Sequence, residues 1–346
     1  MLVSLSCNPK NKRYMKHVRN LFTLLTMIML CTLSSCSDGE DGLDGINGID
    51  GQDGADGQDG VDGQDGADIA KMATLDFNLN GLENLGPDYL YEGWIVVDGA
   101  PQSTGIFSVN DSGSLSKSSF EVDSVLLANA HKFVLTIEPN PDSDPAPSYQ
   151  KLIAGDFSGN SAVIASNVMP GVGDFSGASG SFFLRSPTDE PVGSANNGND
   201  QNGIWFGLPG MPPGANFVLP TLPTGWAYEG WVVGDAGPLS TGTFTSFDVM
   251  DDNAGSASSF GGTENLGPPL PGEDFFLNAP AGETFPLDIR GRTVVISIEP
   301  VPDNSPEPFV LKPLVAISGN DTAPESYLFQ LNLESFPSGN VTRVNE

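Results

Sequence analysis

The chain has 346 residues, of which 44 are acidic and 14 are basic, so its formal net charge is −30. A field of that sign repels nucleic-acid phosphates and anionic lipids, which excludes DNA and RNA as partners and favours cations. Charged residues are nevertheless only 17% of the chain and 20 residues are Phe, so much of it can form a folded core.

The first element in chain order, residues 1–35, has the dimensions of a secretory signal peptide. Lys16 and Arg19 lie in its basic part, and residues 21–30 form an apolar part that is too short to span a bilayer. The sequence Leu-Ser-Ser-Cys that ends at Cys36 resembles a bacterial lipobox. We therefore expect Cys36 to be acylated and to anchor the mature chain in a membrane. The alternative is an ordinary signal peptide whose cleavage site carries a cysteine.

Cleavage before Cys36 removes the two other cysteines, Cys7 and Cys31, so the mature chain would have no free thiol. Five of the 14 basic residues are removed as well, while all 44 acidic residues remain. Residues 37–41 (SDGED) resemble the acidic segment that accompanies export of lipoproteins to the surface of Gram-negative bacteria. We predict an outer-membrane lipoprotein exposed at the cell surface, with the periplasmic face as the alternative.

Residues 36–68 form a spacer in which glycine occupies every third position from Gly39 to Gly66. The last position of its ten triplets is Asp in nine and Asn47 in one. A glycine at every third position is what a collagen triple helix requires, yet proline is absent and like charges would stack in every layer. The spacer is therefore either a flexible single-chain tether or a cation-assisted homotrimeric stalk. It would span roughly 90 Å if extended and roughly 30 Å as a coil.

The rest of the chain contains an internal repeat. Residues 91–107 read YEGWIVVDGAPQSTGIF and residues 228–244 read YEGWVVGDAGPLSTGTF. Farther on, FVLTIEPNPDSDPAP at 133–147 corresponds to VVISIEPVPDNSPEP at 294–308. Two copies of one module are the simplest explanation, and the wider spacing in the second copy indicates an insertion.

Short apolar runs separated by Gly, Pro, Asn and Asp indicate an all-β fold after the spacer. We predict two β-sandwich-like modules, residues 69–190 and 191–346, with the insertion at about 251–285. Asp98-Gly99 predicts a hairpin turn, and Glu138-Pro139 predicts the end of a strand because proline cannot donate to a ladder. The pattern leaves open whether the two modules share one core.

The order of Trp-x-Val, Ser-Thr-Gly-x-Phe and a strand ending in Glu-Pro resembles the C-terminal domain of anti-sigma-K factors. The similar regions run from residue 91 to about 154 and from 228 to about 316, and Asp142-Ser143 and Asp303-Asn304 replace the usual Gly-Gly. In that family the domain lies outside the cytoplasm, behind a transmembrane helix and a cytoplasmic segment that binds the sigma factor. The resemblance implies a sensing or interaction role. Because a spacer and a lipid anchor precede the modules here, we do not expect this chain to sequester a sigma factor itself.

Two loops are rich in the oxygen donors that calcium prefers. Asn197, Asn199 and Asp200 lie in one loop, and Asp251 and Asp252 lie in the other. Neither loop has the spacing of an EF-hand, and both would also serve as ordinary loops. Calcium is the only cofactor that the sequence suggests.

Three residues recur at the same place in each copy, and we expect them to be structural. They are Glu92, Trp94 and Glu138 in the first copy and Glu229, Trp231 and Glu299 in the second. The alternatives are a carboxylate pair for glycoside hydrolysis and a tryptophan that stacks on a sugar. His131 is the one histidine after Cys36 and has no nucleophile-elbow motif near it, so we predict no catalytic residue and no enzyme.

These observations predict a lipid-anchored extracytoplasmic β protein that interacts with a protein or glycan ligand or senses it. One alternative is a periplasmic accessory of an anti-sigma or other transmembrane signalling system. A second alternative is a carbohydrate-active protein.

Overall fold

The computed structural model of the chain describes residues 71–254, 260–303 and 305–344. The predicted signal peptide, Cys36 and the spacer lie outside these residues, as do residues 255–259 of the predicted insertion. The described residues all belong to one unit, Ala67–Glu346. None of its described helices has the length and apolar character that crossing a membrane would require.

Short strands dominate both halves of this unit, which confirms the predicted all-β fold. The elements of the first half are β1 Met72–Asn80, β2 Tyr89–Val97, β3 Ala100–Phe107, β4 Ser119–Asp123, α1 Ser124–Asn129, β5 Lys132–Pro139, β6 Lys151–Ser158, β7 Ser161–Ile164, β8 Val168–Met169 and β9 Gly173–Asp174. Those that follow are β10 Ser181–Leu184, β11 Gly203–Phe206, β12 Trp226–Val233, β13 Pro238–Phe244, β14 Gly272–Asp274, β15 Thr293–Pro300, β16 Leu314–Ile317, β17 Tyr327–Leu328, β18 Gln330–Leu331 and β19 Ser338–Val344.

The internal repeat is a repeat of strand order. In the first half the order is β3-β2-β5-β6-β7-β19-β1-β4, and in the second half two sheets have the orders β13-β12-β15-β16-β18 and β14-β11-β10-β17. Strands β3-β2-β5-β6 therefore correspond to β13-β12-β15-β16, and β7-β19-β1-β4 correspond to β17-β10-β11-β14. All of these pairings are antiparallel, as expected for sandwich-like modules.

The C-terminal strand β19 lies in the sheet of the first half. It pairs with β1 on one side, where Phe77 is opposite Val341, and with β7 on the other. The predicted division at residue 191 assigns β19 to the second module, whereas its hydrogen bonds are made in the first. Likewise β10 precedes that division but pairs with β11 and β17. Backbone pairing decides which sheet a strand joins, and the local pattern of side chains does not report it.

Buried apolar side chains of both halves form one contiguous cluster that extends from Leu75 to Val341. The two halves therefore share a core, which answers the question that the sequence left open. The second half also has a small separate cluster of Phe183, Trp205 and Leu270.

Local signals in the sequence set the ends of several strands. Asp98 and Gly99 both have positive φ, 49° and 82°, which is what a two-residue hairpin turn between β2 and β3 requires. Strand β5 ends at Pro139, as predicted. Within the predicted insertion, β14 pairs with β11 as β4 pairs with β1, so the additional residues lie on both sides of β14.

Gly230 is required because β12 packs closely against β11. A Cβ at this position would lie 2.2 Å from Cε2 of the buried Phe206 and 2.4 Å from Thr241 Oγ1. We expect Gly230→Ala to lower the free energy of unfolding by about 3 kcal/mol, because a well-packed core resists added volume. The control is Gly237→Ala, whose Cβ would have no heavy atom closer than 4.0 Å. If urea denaturation gave the same decrease in the free energy of unfolding for both variants, close packing at Gly230 would not be the cause.

Candidate functional site

The recurring Glu and Trp residues lie side by side on one face of each sheet. Alternation along β2 directs Tyr91 and Ile95 into the common core and places Glu92 and Trp94 on the opposite face. A β-bulge next to Trp94 is repeated in β12 next to Trp231. The polar side chains Glu92, Thr136 and Glu138 on this face are buried as well.

In the first half a chain of hydrogen bonds connects the tryptophan to a glutamate. Trp94 Nε1 donates to Thr136 Oγ1 at 2.8 Å, and the Thr136 hydroxyl donates to Glu138 Oε1. The backbone N–H of Ser148 donates to the same carboxylate at 2.9 Å. On the neighbouring strand Glu92 accepts a hydrogen bond from the Ser103 hydroxyl.

The second half repeats this arrangement at every position. Trp231 Nε1 donates to Ser297 Oγ at 2.7 Å, and the Ser297 hydroxyl donates to Glu299 Oε1. The backbone N–H of Phe309 donates to Glu299 at 3.0 Å, and the Ser240 hydroxyl donates to Glu229 Oε1. The structure thus unites the recurring residues in two equivalent polar networks, and it adds the serines and the threonine that the sequence analysis did not single out.

Burial makes these glutamates weak acids. Glu138 is 2% exposed and Glu299 is 1% exposed. Burial raises the pKa of Glu229 to about 8 and that of Glu299 to about 7, and it also raises the pKa values of Glu92 and Glu138. Ionised Glu299, Asp303 and Asp252 oppose the ionisation of Glu229, and no ion pair to it is present among the residues that the structure describes, so a proton or another cation beside Glu229 is favoured near neutral pH.

The network of the second half includes a third carboxylate, that of Asp303. One oxygen from each of Glu229, Glu299 and Asp303 lies within 4.8 Å of the others, and among the described residues no other group of His, Cys, Asp or Glu meets that criterion. Glu229 Oε2 is buried and has no hydrogen-bond partner. Sequence analysis missed this role of Asp303, although the pattern Glu-Pro-x-Pro-Asp recurs in both copies and could have indicated it.

The first predicted calcium loop lies around an arginine. Arg185 forms an ion pair with Asp200 at 2.6 Å and another with Glu190, and the N–H of Asn197 donates to Glu190 at 2.8 Å. Asn199 Nδ2 donates to Asp189 at 2.7 Å. Two buried oxygens in this loop, Oδ1 of Asn199 and Oδ1 of Asp189, have no hydrogen-bond partner. The guanidinium already neutralises Asp200, so a calcium ion there would depend on those two oxygens.

In the second predicted loop the carboxylates accept hydrogen bonds from the backbone. Asp251 accepts from the N–H of Gly272 at 2.8 Å, and Asp252 accepts from the N–H of Thr243 at 2.7 Å. Burial raises the pKa of Asp251 to about 7. These bonds give both residues a structural role in holding the loop against β13 and β14.

A cleft of about 830 Å³ lies beside the network of the first half, on the outer face of β2, β5 and β6. Its walls are mainly apolar, and the β8–β9 hairpin forms one side. Val163, which is 69% exposed, and Met169 contribute to the apolar wall. Lys132 and Lys151 also line the cleft, and Lys132 is 3.2 Å from Asp156. The cleft therefore combines apolar surface with two of the few basic residues.

Comparisons of the chain with protein-family models, curated proteins and solved structures give no match. The resemblance to anti-sigma-K factors therefore stays a prediction, and the proposals below depend on the residues of this chain.

Proposed function

We propose that this chain is a lipid-anchored, non-catalytic binding protein that its spacer displays at the cell surface. The observation that carries the proposal is the cleft on the outer face of the first half. The lipobox at Cys36 supports the anchor, and the strict glycine period supports the spacer. The unit that follows offers a preformed apolar concavity, which is the usual form of a binding site.

The chemistry of the cleft favours a protein segment as its ligand. Apolar walls suit apolar side chains, and Lys151 suits a carboxylate on the same segment, whereas Lys132 already pairs with Asp156 in the cleft. A glycan would instead need an exposed aromatic platform, whereas Trp94 is only 3% exposed and donates its N–H to Thr136. We therefore propose a partner segment that carries apolar residues next to an acidic one.

The cleft can be tested with the apolar anion 8-anilinonaphthalene-1-sulfonate. We expect its fluorescence to rise on binding, and we expect Val163→Glu to weaken that binding at least about tenfold, because the substitution adds a charge to an apolar wall. The control is Val125→Glu on α1, where the side chain is 66% exposed and outside the cleft. An unchanged affinity in Val163→Glu, or no binding by the wild type, would rule out the cleft as the site.

Display can be tested by protease treatment of intact cells, with an antibody against residues 71–346 and a periplasmic protein as the control. Loss of the antibody signal while the control survives is the expected result. Cys36→Ala should release the protein into the soluble fraction, because it removes the acylation site. Protection until the outer membrane is broken would reject surface display and favour a periplasmic role beside a transmembrane regulator.

A further inference from the structure

Glu229 on β12 is opposite Ser297 on β15, so it lies diagonally beside Glu299 on the same face of the sheet, and Asp303 approaches both from the loop after β15. Their three closest oxygens lie within 4.8 Å of one another. Calcium binds oxygens at about 2.3–2.6 Å, so ligands on opposite sides of one ion are about 5 Å apart. The three oxygens therefore fit around a single ion.

One carboxylate oxygen of Glu229 has no partner among the residues that the structure describes. Glu229 is 5% exposed, and its Oε1 accepts a hydrogen bond from Ser240, whereas its Oε2 is buried and accepts none. Buried polar atoms in folded proteins are nearly always satisfied, and an unpaired carboxylate is especially costly. Because Glu229 belongs to the cluster of three carboxylates, its unsatisfied oxygen points to a positively charged ligand there.

The surrounding charges are mostly negative. Asp252 and Asp303 act unfavourably on ionised Glu229, and Glu83 acts unfavourably on ionised Glu299. Lys312 acts favourably on ionised Glu83 and Glu299. The main influences on Glu229 include the acids Glu299, Asp303 and Asp252 and no base, which favours a divalent cation beside it.

The cluster is connected to a route from solvent. A cavity of about 350 Å³ lies between the two halves and is lined by Asp303, Phe309, Glu83 and Gln150, among others. Asp303 therefore connects the buried glutamates with a space that is large enough for several water molecules. Solvent in that cavity can supply the remaining ligands, which calcium needs because it binds six to eight oxygens.

We propose that Glu229, Glu299 and Asp303 bind one calcium ion between the second sheet and the loop that follows β15. The donor set contains only carboxylate oxygens, which favours a hard cation over zinc or copper. Magnesium is less suitable, because it requires near-ideal octahedral geometry at about 2.0–2.1 Å. The ion would hold the loop at 301–309 against β12 and so stiffen the contact between the halves.

Terbium luminescence tests this site in the full chain, because Tb³⁺ is an oxygen-seeking ion of calcium-like size that emits when an excited tryptophan lies nearby. Trp231 is two hydrogen bonds from Glu299, through Ser297. The acidic spacer at 36–68 contains no aromatic residue, so terbium bound there has no sensitiser next to it in the sequence. We expect a saturable signal that calcium displaces and that weakens at about pH 5, where protons compete for the carboxylates.

The matched variants are the two pairs of equivalent glutamates. Glu229→Gln with Glu299→Gln should weaken terbium and calcium binding at least about tenfold, because two charged ligands are lost. Glu92→Gln with Glu138→Gln should leave the affinity unchanged. Calcium should raise the thermal midpoint of unfolding in the wild type and in the second variant but not in the first.

Asp303→Asn provides a further test, because it removes one ligand at the cavity without altering the buried pair. It should weaken calcium binding and leave the circular dichroism spectrum unchanged. An absent terbium signal in the wild type would overturn the proposal, as would equal binding by both double variants. In that case protons alone neutralise the pair.

Discussion

Replacing Val341 by Asp is expected to lower the free energy of unfolding by about 4 kcal/mol or more, because it places an unpaired charge in a packed core. Val341 is 0% exposed, lies opposite Phe77 on β1 and opposite Ala162 on β7, and belongs to the common core. The central position of β19 in the sheet means that the substitution disturbs two strand ladders at once.

The matched control is Val344→Asp on the same strand, where the side chain is 41% exposed. We expect this substitution to lower the free energy of unfolding by less than about 1 kcal/mol, as most surface substitutions do. Urea denaturation followed by tryptophan fluorescence measures both. A small loss in Val341→Asp would show that β19 is not an integral strand of the first half.

We expect a deletion of residues 338–346 to destabilise the first half as well. It removes the strand that separates β1 from β7 and exposes the edges of both. Strand β1 is held on both sides, by β19 and by β4, so the deletion takes away one of its two neighbours. We therefore expect the deletion to make the first half sensitive to protease.

Raising the pH from about 5 to about 8.5 in the presence of a chelator is expected to lower the free energy of unfolding by about 4 kcal/mol. That loss corresponds to a shift of three pKa units in a single carboxyl. The pKa values of five buried carboxyls and one half-buried carboxyl are raised to about 7 or 8, with desolvation as the main cause. The buried ones are Glu229, Asp251, Glu273, Asp274 and Glu299, and the half-buried one is Glu83.

The sign follows from proton binding. Each of these carboxyls keeps its proton in the folded state at pH values where the unfolded chain has already lost it, so the folded state binds more protons between about pH 4.5 and 8. The free energy of unfolding is therefore highest near about pH 4.5, and it declines as the pH rises through the pKa values of the folded state. Asp174, Glu190 and Asp288 have lowered pKa values and act in the opposite sense, but only at lower pH.

Gln variants test which carboxyls are responsible. Glu229→Gln and Glu299→Gln should each flatten the pH dependence, because an amide cannot ionise, while the exposed Glu325→Gln should leave it unchanged. Stability that increases steadily from pH 5 to pH 8.5 would contradict the prediction. Calcium at pH 8.5 should restore much of the loss if it replaces the protons.

Local sequence patterns were sufficient to predict the all-β class, the hairpin turn at Asp98-Gly99 and the end of β5 at Pro139. The two matched segments in each copy also identified the glutamates and tryptophans of both polar networks, but not their serines, their threonine or Asp303. This succeeded because turn geometry and the proline effect are local, and because a duplication preserves the residues that form the same contacts in each copy.

Only the tertiary structure decided which strand completes which sheet and which acids meet. Strand β19 is far from β1 in sequence, and backbone hydrogen bonds pair them without any side-chain signature. Asp303 joins Glu229 and Glu299 only because the loop after β15 folds back, whereas Asp200, which lies in an Asn-rich loop, is neutralised by Arg185. Oxygen-rich sequence therefore indicates where a cation can bind, but the folded arrangement of charges determines where one is needed.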